Sequence, residues 1–495
     1  MPMDNNDLKL ILRSNVALVV IETWDEPRAL AMVQSLFKER GVPAWKWSVT
    51  EGMEPLGFGI KPSDDEARKK PTEVLEHIKQ HRFASAFVLC DIHPYLDDAK
   101  IIRLLKDIAL AQRFCDHKVV LISHRLNLPP ELSRYAASVS LSMPTDEEIL
   151  AMIRDEARKW AKKNKQDRIK TDNVTLDKLV NNLKGLPHQD VRRLAHGAIA
   201  DDGAITEDDL PELTKAKFEL MDMEGVLHFE YSTAHLGDVA GLNILKTWLE
   251  DRRHAIKKES ANGVLDPPKG LLLFGVQGGG KSLAAKAIAG VWGLPLLRLD
   301  MASLFNKYVG ETERNLREAL KLADTMSPCV LWVDEIEKGL AQGDSESGTP
   351  QRLLGTLLTW MAERKSTVFM VATSNDISQL PPELMRKGRF DEIFFVDLPD
   401  AATREVIFRI HLKKRDCEEH KFDLSALAEQ CEGFTGAEIE QAIVSAMYAA
   451  VARDEVLDTQ KISEAISQTQ PLSVVMSEKI SDLREWAAER AVFAN

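Results

Sequence analysis

The sequence predicts an α/β fold in which a parallel sheet is sandwiched by helices, and it predicts that this fold occurs twice in the chain. Three observations support this: short apolar runs alternate with helical stretches, one run leads into a glycine-rich loop followed by a helix, and landmarks of the second half recur in the first. A chain of 495 residues is too long for one hydrophobic core, so we expect several domains.

The order of these patterns divides the chain into six segments. We expect a degenerate α/β domain at 1–142, its helical lid at 143–210, a linker at 211–236, an active α/β domain at 237–398, a second helical lid at 399–470 and a C-terminal helix at 471–495.

The composition, with 44% hydrophobic and 28% charged residues, is typical of a soluble protein. The chain has neither an apolar run of about 18 residues nor the basic, apolar start of a signal peptide, so we expect no membrane span and a cytoplasmic location. The five cysteines are scattered, which favours free thiols over disulfides or a zinc site. A net charge of −13 argues against wide, unspecific contact with nucleic acid.

The glycine-rich loop Gly275–Ser282 follows the apolar run Leu271–Phe274 and precedes the helical stretch Leu283–Ala289. Strand, loop and helix in this order are typical of a phosphate-binding P-loop. Glycines allow the backbone N–H groups to surround phosphate, and the helix N-terminus favours the negative charge. Lys281 is expected to reach the β- and γ-phosphates, and the Ser282 hydroxyl to bind Mg²⁺.

Two further strands end in polar residues that suit ATP hydrolysis. The apolar run from Cys329 ends in Asp334 and Glu335, and the run from Val368 leads to Asn375. We expect Asp334 to hold Mg²⁺ through water and Glu335 to polarise the attacking water, with the Asn375 amide orienting that water.

Arg386 and Arg389 lie three residues apart at a turn. They can neutralise charge on a phosphoryl group, and their place along the fold favours the nucleotide of a neighbouring subunit. The alternative is a pair of surface salt bridges. Between the P-loop and Asp334, the loop Lys307–Gly310 suits an exposed gripping loop, although residue types alone favour core packing of Tyr308.

The first half repeats the landmarks of the second at offsets between 243 and 255 residues. For example, Leu128–Leu132 recurs as Leu380–Leu384, Asp91 matches Asp334, and Gly185 matches Gly433. We interpret this as an internal duplication.

The first copy lacks the phosphate cradle. Its corresponding turn, Glu22–Pro27, has no glycine and no lysine, and its three acids would repel phosphate. The sequence therefore predicts a first copy that has kept the fold and lost nucleotide binding. For the strand-end residues Asp91 and His124 we expect a structural role.

These motifs resemble those of the AAA+ ATPases, in the branch that includes proteasomal and membrane-fusion ATPases. In this resemblance Gly275–Ser282 is the Walker A motif, Val330–Glu335 is Walker B, Asn375 is sensor 1, Arg386 and Arg389 are arginine fingers, and Lys307, Tyr308, Val309 and Gly310 form the substrate pore loop. The residues it implies around ATP are Asp238, Gly241, Gly275, Val276, Gln277, Gly278, Gly279, Gly280, Lys281, Ser282, Leu283, His411, Gly436 and Ala437.

Over its full length the chain is similar to a narrower group, the poorly characterised AAA proteins of cyanobacteria and red-algal plastids. The unusual loop interior Val276–Gly279 points to this group. The resemblance implies a ring, expected to be a hexamer, that uses ATP and Mg²⁺ to remodel an unidentified protein client. Two alternatives remain open: an ATPase linked to nucleic acid, and a slowly hydrolysing regulatory scaffold.

Overall fold

The computed structural model describes residues 8–495 except 13, 15, 58–67, 113, 115, 125, 166–168, 201–202, 207, 222–225, 232–233, 235, 257–265, 305–310, 341–348 and 387. The chain forms two compact units that divide between Leu213 and Thr214. Within the described ranges, no helix is both long and apolar enough to cross a bilayer.

The first unit is an α/β domain followed by a group of helices. Its strands are β1 (Leu18–Glu22), β2 (Ala44–Ser48), β3 (Gly52–Pro55), β4 (Ala86–Cys90), β5 (Lys118–Ser123) and β6 (Ala136–Ser140). Its helices are α1 (Glu26–Glu39), α2 (Pro71–Gln80), α3 (Ala99–Ala111), α4 (Pro130–Ser133), α5 (Asp146–Asn164), α6 (Asn173–Leu183) and α7 (His188–Ala200), and α8 (Asp209–Leu220) crosses the division between the units.

The first sheet has the strand order β3-β2-β4-β5-β1-β6, with β3 antiparallel to its neighbour at one edge and parallel pairing elsewhere. Successive residues of a strand face opposite sides of a sheet. In β5, Val119 and Leu121 belong to the core shared with α2 and α3, whereas Val120 and Ile122 belong to the core shared with α1. Both faces are buried, which explains why the strands read as continuous apolar runs.

The second unit contains the other sheet and a helical lid. Its strands are β7 (Leu227–Glu230), β8 (Gly270–Gly275), β9 (Leu296–Asp300), β10 (Cys329–Asp334), β11 (Val368–Ser374), β12 (Glu392–Val396) and β13 (Val492–Phe493). Its helices are α9 (Asn243–Ile256), α10 (Lys281–Trp292), α11 (Glu311–Thr325), α12 (Ile336–Leu340), α13 (Thr349–Glu363), α14 (Ala401–Lys413), α15 (Leu424–Gln430), α16 (Gly436–Ala452), α17 (Thr459–Ser467), α18 (Leu472–Val475) and α19 (Ser477–Arg490).

The second sheet has the order β13-β12-β8-β11-β10-β9-β7, and again only the edge strand β7 is antiparallel to its neighbour among the described pairs. Its two faces carry separate cores, one with α9 and α10 and one with α11, α13 and α19. Helices α14 to α17 pack around a core of their own, which includes Phe408, Leu427, Ile439 and Ile462. The α/β fold with a helical lid is therefore confirmed.

The two sheets share one strand order, because β6-β1-β5-β4-β2-β3 and β12-β8-β11-β10-β9-β7 place matching strands in matching positions. Gly185 and Gly433 also share the left-handed backbone conformation, at φ 79° and 80°. Both findings support the duplication. One pairing shifts by a residue: the residue with positive φ directly after the strand is Asp91 in the first copy and Glu335 in the second, so Asp91 matches Glu335 and not Asp334.

Two expected segment types differ from the structure. The region 211–236, expected as a linker, contains the strand β7 that completes the second sheet. The region 471–495, expected as a helix, also contains β13, which pairs in parallel with β12. The four cysteines in the described ranges are free thiols: Cys90, Cys329, Cys417 and Cys431.

Candidate active site

A cleft of about 540 Å³ lies in the second unit, where the carboxyl ends of β8, β10 and β11 meet the lid helices α14 and α16. Its volume falls in the range of nucleotide-sized ligand pockets. The cleft is lined by these expected site residues: Asp238, Gln277, Gly278, Gly279, Gly280, Lys281, Ser282, Leu283, Asp334, Glu335, Asn375, His411, Gly436 and Ala437.

The loop after β8 depends on glycine at two of its positions. At Gly275, with φ 143°, a Cβ atom would lie 2.1 Å from the backbone oxygen of Val396. At Gly278, with φ 77°, a Cβ atom would lie 2.9 Å from the Thr435 hydroxyl of the lid. Gly275 thus allows β8 and β12 to approach, and Gly278 brings the loop against the lid. The first turn of α10 lines the cleft with Lys281, Ser282 and Leu283, and no side chain in the described ranges caps the N-terminus of this helix, so its N–H groups can bind an anion.

The Lys281 side chain is 6% exposed, and its ammonium group donates hydrogen bonds of 2.9 Å to the backbone oxygens of Gly275 and Val276. Burial lowers the pKa of Lys281 to about 8, and the nearby carboxylates of Glu337, Asp334 and Glu335 only partly offset this. A phosphate group in the cleft would add negative charge beside Lys281 and stabilise its charged form.

Asp334 is fixed from two sides. Its Oδ1 accepts a hydrogen bond of 2.8 Å from Thr373, and its Oδ2 accepts one of 2.8 Å from Arg298 of the neighbouring strand β9. The exposed Ser282 hydroxyl lines the same cleft. One carboxylate and one hydroxyl are the sparse oxygen donor set with which proteins hold Mg²⁺ beside phosphates, so these residues fit that ion.

Glu335 sits in the left-handed conformation, φ 47°, at the sharp turn from β10 into α12. This turn aims its carboxylate at the end of β11, where the Asn375 amide donates to Oε1 at 3.1 Å. Lys338 contacts Oε2 at 2.5 Å. The Asn375 backbone N–H donates to Glu337 at 2.9 Å, which holds the two strand ends together. The carboxylate and the amide are therefore positioned together in the cleft.

The lid supplies the opposite wall. His411 of α14 has its Nδ1 3.3 Å from Glu440 of α16, and burial lowers the pKa of His411. The Ala437 N–H donates to the Gly278 oxygen at 3.4 Å, so lid and loop are in direct contact. His411 thus presents a mainly neutral imidazole to the cleft at pH 7.

Sequence reasoning missed one wall of the cleft, formed by Phe493, Ala494 and Asn495. The Ala494 N–H donates to Phe395 of β12 at 3.0 Å, and the Asn495 side chain accepts from the Leu242 N–H. A two-residue strand leaves no periodic pattern, so β13 had no signal in the sequence. Arg298 was also missed, since a single arginine inside a strand carries no motif.

Several expected site residues lie outside the lining of the cleft. Gly241, Gly275 and Val276 are in its supporting backbone. Arg386 and Arg389 are also absent from the lining; Arg389 is bound to the backbone oxygen of Glu383. The expected pore loop, Lys307–Gly310, is outside the described residues.

Four family models match the chain. They are the ATPase family associated with various cellular activities at residues 271–398, the AAA+ lid domain at 421–464, and the N-terminal and second domains of SpoVK-like AAA ATPases at 4–141 and 147–224. The chain is 37% identical to the uncharacterised AAA domain-containing protein ycf46 of Pyropia yezoensis, over 98% of this chain and 97% of that protein. The chain belongs to the AAA ATPase family.

Other relatives extend this result. The ycf46 protein of Guillardia theta is 35% identical over 97% of this chain and 94% of its own. A proteasome-activating nucleotidase of Sulfurisphaera tokodaii is 32% identical over 53% of this chain and 68% of its own. The predictions of an AAA ATPase, and of the poorly characterised plastid-type group within it, are confirmed. This AAA protein is thus a nucleotide-binding ATPase related to the proteasome-activating nucleotidases.

In the first unit of this AAA protein, the connection that corresponds to the glycine-rich loop is shorter, and the helix after it is capped. Only three residues separate β1 from α1, whereas five separate β8 from α10. Asp25, 6% exposed, caps α1 by accepting a hydrogen bond of 3.3 Å from the Arg28 N–H. The Arg28 side chain donates to the Ser142 oxygen at 2.7 Å. A helix N-terminus that its own chain already caps with a carboxylate does not attract phosphate.

Proposed function

We propose that the second unit binds Mg²⁺ and ATP in the cleft and hydrolyses the γ-phosphate bond. The glycine loop and the first turn of α10 would surround the phosphates, with Lys281 at the β- and γ-phosphates. Ser282 and Asp334 would hold Mg²⁺, and the ion would neutralise charge on the phosphate oxygens. His411, Gly436 and the Asn495 wall would enclose the base and ribose.

The observation that carries the hydrolytic role is the pair formed by Glu335 and Asn375. Their side chains are joined by a hydrogen bond of 3.1 Å, and both residues line the same cleft as Lys281. Glu335 would accept a proton from the attacking water, and Asn375 would hold the carboxylate in that orientation. The presence of Glu335 and of both arginines favours hydrolysis over the slow regulatory scaffold.

We further propose that hydrolysis requires a ring, expected to be a hexamer. Arg386 and Arg389 are outside the lining of their own cleft, yet they are two cations on one turn. A neighbouring subunit in a head-to-tail ring can bring such a turn to the γ-phosphate. The similarity to relatives named proteasome-activating nucleotidase supports a role in protein remodelling.

A mixing experiment tests this arrangement. Lys281→Ala should abolish ATP binding but leave the arginines intact, and Arg389→Ala should bind ATP without turning it over. In a 1:1 mixture, about a quarter of the interfaces would combine an intact cleft with an intact arginine, so turnover should return. Replacing the first partner by Lys281→Ala/Arg389→Ala is the matched control and should restore nothing.

Two results would contradict the proposal. If Arg389→Ala alone hydrolyses ATP at the wild-type rate, Arg389 takes no part in the reaction. If the mixture shows no turnover although pull-down of one tagged variant recovers the other, Arg389 does not act between subunits.

We propose that the client is a protein that binds to the loop Lys307–Gly310. Tyr308→Ala should retain basal ATP turnover and lose turnover stimulated by the client. A Glu335→Gln variant purified with ATP should retain that client for identification by mass spectrometry. Turnover stimulated by DNA, with no protein retained, would favour the nucleic-acid alternative instead.

A further inference from the structure

Three side chains with metal-binding chemistry meet at the carboxyl edge of the first sheet. Asp91 directly follows β4, His93 lies two residues further, and His124 directly follows β5. One potential ligand atom from each of them lies within 4.8 Å of the others. In the described parts of the chain, no other group of three or more His, Cys, Asp or Glu residues has its potential ligand atoms this close together.

Ser123 orients two of the three. Its hydroxyl donates to Asp91 Oδ1 at 3.2 Å and lies 2.7 Å from His93 Nδ1. Asp91 takes the left-handed position that Glu335 occupies in the second copy, and each of the two carboxylates accepts a hydrogen bond from the end of the neighbouring strand. The donors are not equivalent, because Ser123 is the last residue of β5 whereas Asn375 directly follows β11. The turn after β4 therefore has the same backbone conformation as the turn after β10, with different side chains around it.

His124 is held by ring packing and not by hydrogen bonds. Its ring lies 4.7 Å from that of Trp24 and 4.8 Å from that of His93. In the described residues, neither of its nitrogens has a hydrogen-bond partner, and the residue is exposed. The two ring contacts bring His124 next to His93, and its exposure leaves a nitrogen lone pair accessible from solvent.

The surrounding charge favours a cation. Glu22 ends β1, Asp25 caps α1 and Glu26 begins α1, all at the same edge of the sheet. Carboxylate oxygens alone suit Mg²⁺ or Ca²⁺, whereas two imidazoles with one carboxylate suit zinc, cobalt, nickel or ferrous iron.

We infer that Asp91, His93 and His124 form a binding site for one divalent transition-metal ion of the zinc class. Three protein ligands would leave at least one coordination position for water or an exogenous group. Tetrahedral zinc places its ligand atoms about 3.4 Å apart, so the ligand atoms, now within 4.8 Å of one another, must approach by at most about 1.4 Å. Their exposed or half-exposed surroundings permit that movement. The ion would tie the ends of β4 and β5 together, where the second copy has its hydrolytic pair.

The test is titration of the full-length, chelator-treated protein with Co²⁺ and with Zn²⁺ in the absence of nucleotide. We expect one ion per chain by calorimetry, and a visible Co²⁺ absorption band that Zn²⁺ displaces. His124→Ala and Asp91→Asn should each weaken binding at least about tenfold, since even outer-shell changes typically weaken metal sites about 10–100-fold. Asparagine tolerates the left-handed backbone of Asp91, so that variant should fold normally.

Two controls locate the ion. His420→Gln removes an exposed histidine whose Nε2 lies 3.3 Å from Glu418 in the second unit, and Asp334→Asn alters the other candidate cation site. Both should bind the ion as the unaltered chain does. The inference is overturned if the unaltered protein shows no saturable binding, or if a folded His93→Ala/His124→Ala variant binds as tightly as the unaltered protein.

Discussion

ATP affinity should fall as the pH rises from 7 to 9, because Lys281 is buried before the nucleotide arrives. Burial lowers its pKa to about 8 from the ordinary value of 10.5. The phosphates would raise that pKa again, so the bound state keeps its proton across this range. Above pH 8 the free protein has lost the proton, and binding must take one up from solvent.

The size of the effect follows from the two protonation states. With a pKa of about 8, about nine tenths of Lys281 is charged at pH 7 and about one tenth at pH 9. Affinity should therefore decrease about tenfold between these two values, equivalent to about 1.4 kcal/mol. Proton uptake on binding should rise from about 0.1 to about 0.9 per site.

Calorimetry with a non-hydrolysable ATP analogue, in buffers of different ionisation enthalpy, measures both quantities. Lys217 supplies a matched control, since burial also lowers its pKa to about 8 while its ammonium group donates to Thr325. Lys217→Met should show the same uptake as the unaltered protein. Constant affinity from pH 7 to 9 with no proton uptake at pH 9 would refute the reasoning.

Three substitutions test other parts of the second unit. Gly275→Ala should lose about 1–3 kcal/mol or more of unfolding free energy in urea, because alanine meets the Val396 oxygen and a φ of 143° suits only glycine; a stability equal to that of the unaltered protein would contradict the close approach. Arg404, a buried residue of α14, donates hydrogen bonds of 2.8 Å to the backbone oxygens of Ala428 and Pro399. Arg404→Met should lower the free energy of unfolding by about 2–4 kcal/mol in the same assay, because both oxygens lose a charged donor; a change below about 0.5 kcal/mol would contradict this. Asn375→Ala should leave ATP affinity unchanged and lower kcat about 100-fold through the freed Glu335, and an unchanged kcat would remove Asn375 from the reaction.

The fold and the centre of the site were predictable because their signals are local. A buried strand, five loop residues and a helix follow one another around Lys281, and each strand end carries its polar residue in sequence. The backbone conformation of such a segment depends mainly on its own residues. The landmarks of the duplication were visible for the same reason.

The missed features depend on contacts between residues distant in the chain. Arg298 becomes part of the site only because β9 pairs with β10, and Asn495 only because β13 pairs with β12. The mismatch of Asp91 with Asp334 has a related cause. Two acids in a row at the end of β10 give no indication of which one occupies the turn; that depends on the backbone angle at Glu335.

The short connection between β1 and α1 would make a phosphate-binding loop difficult to build into the first unit. Restoring glycines and a lysine would leave the loop two residues shorter than its counterpart, and the carboxylate of Asp25 would still cap the helix. Recovery would need an insertion, a substitution of Asp25 and release of Arg28 from Ser142, with no phosphate binding to select for any single step. The length of a single connection thus separates the two copies, because three changes would have to occur together before the first unit could hold phosphate as the second does.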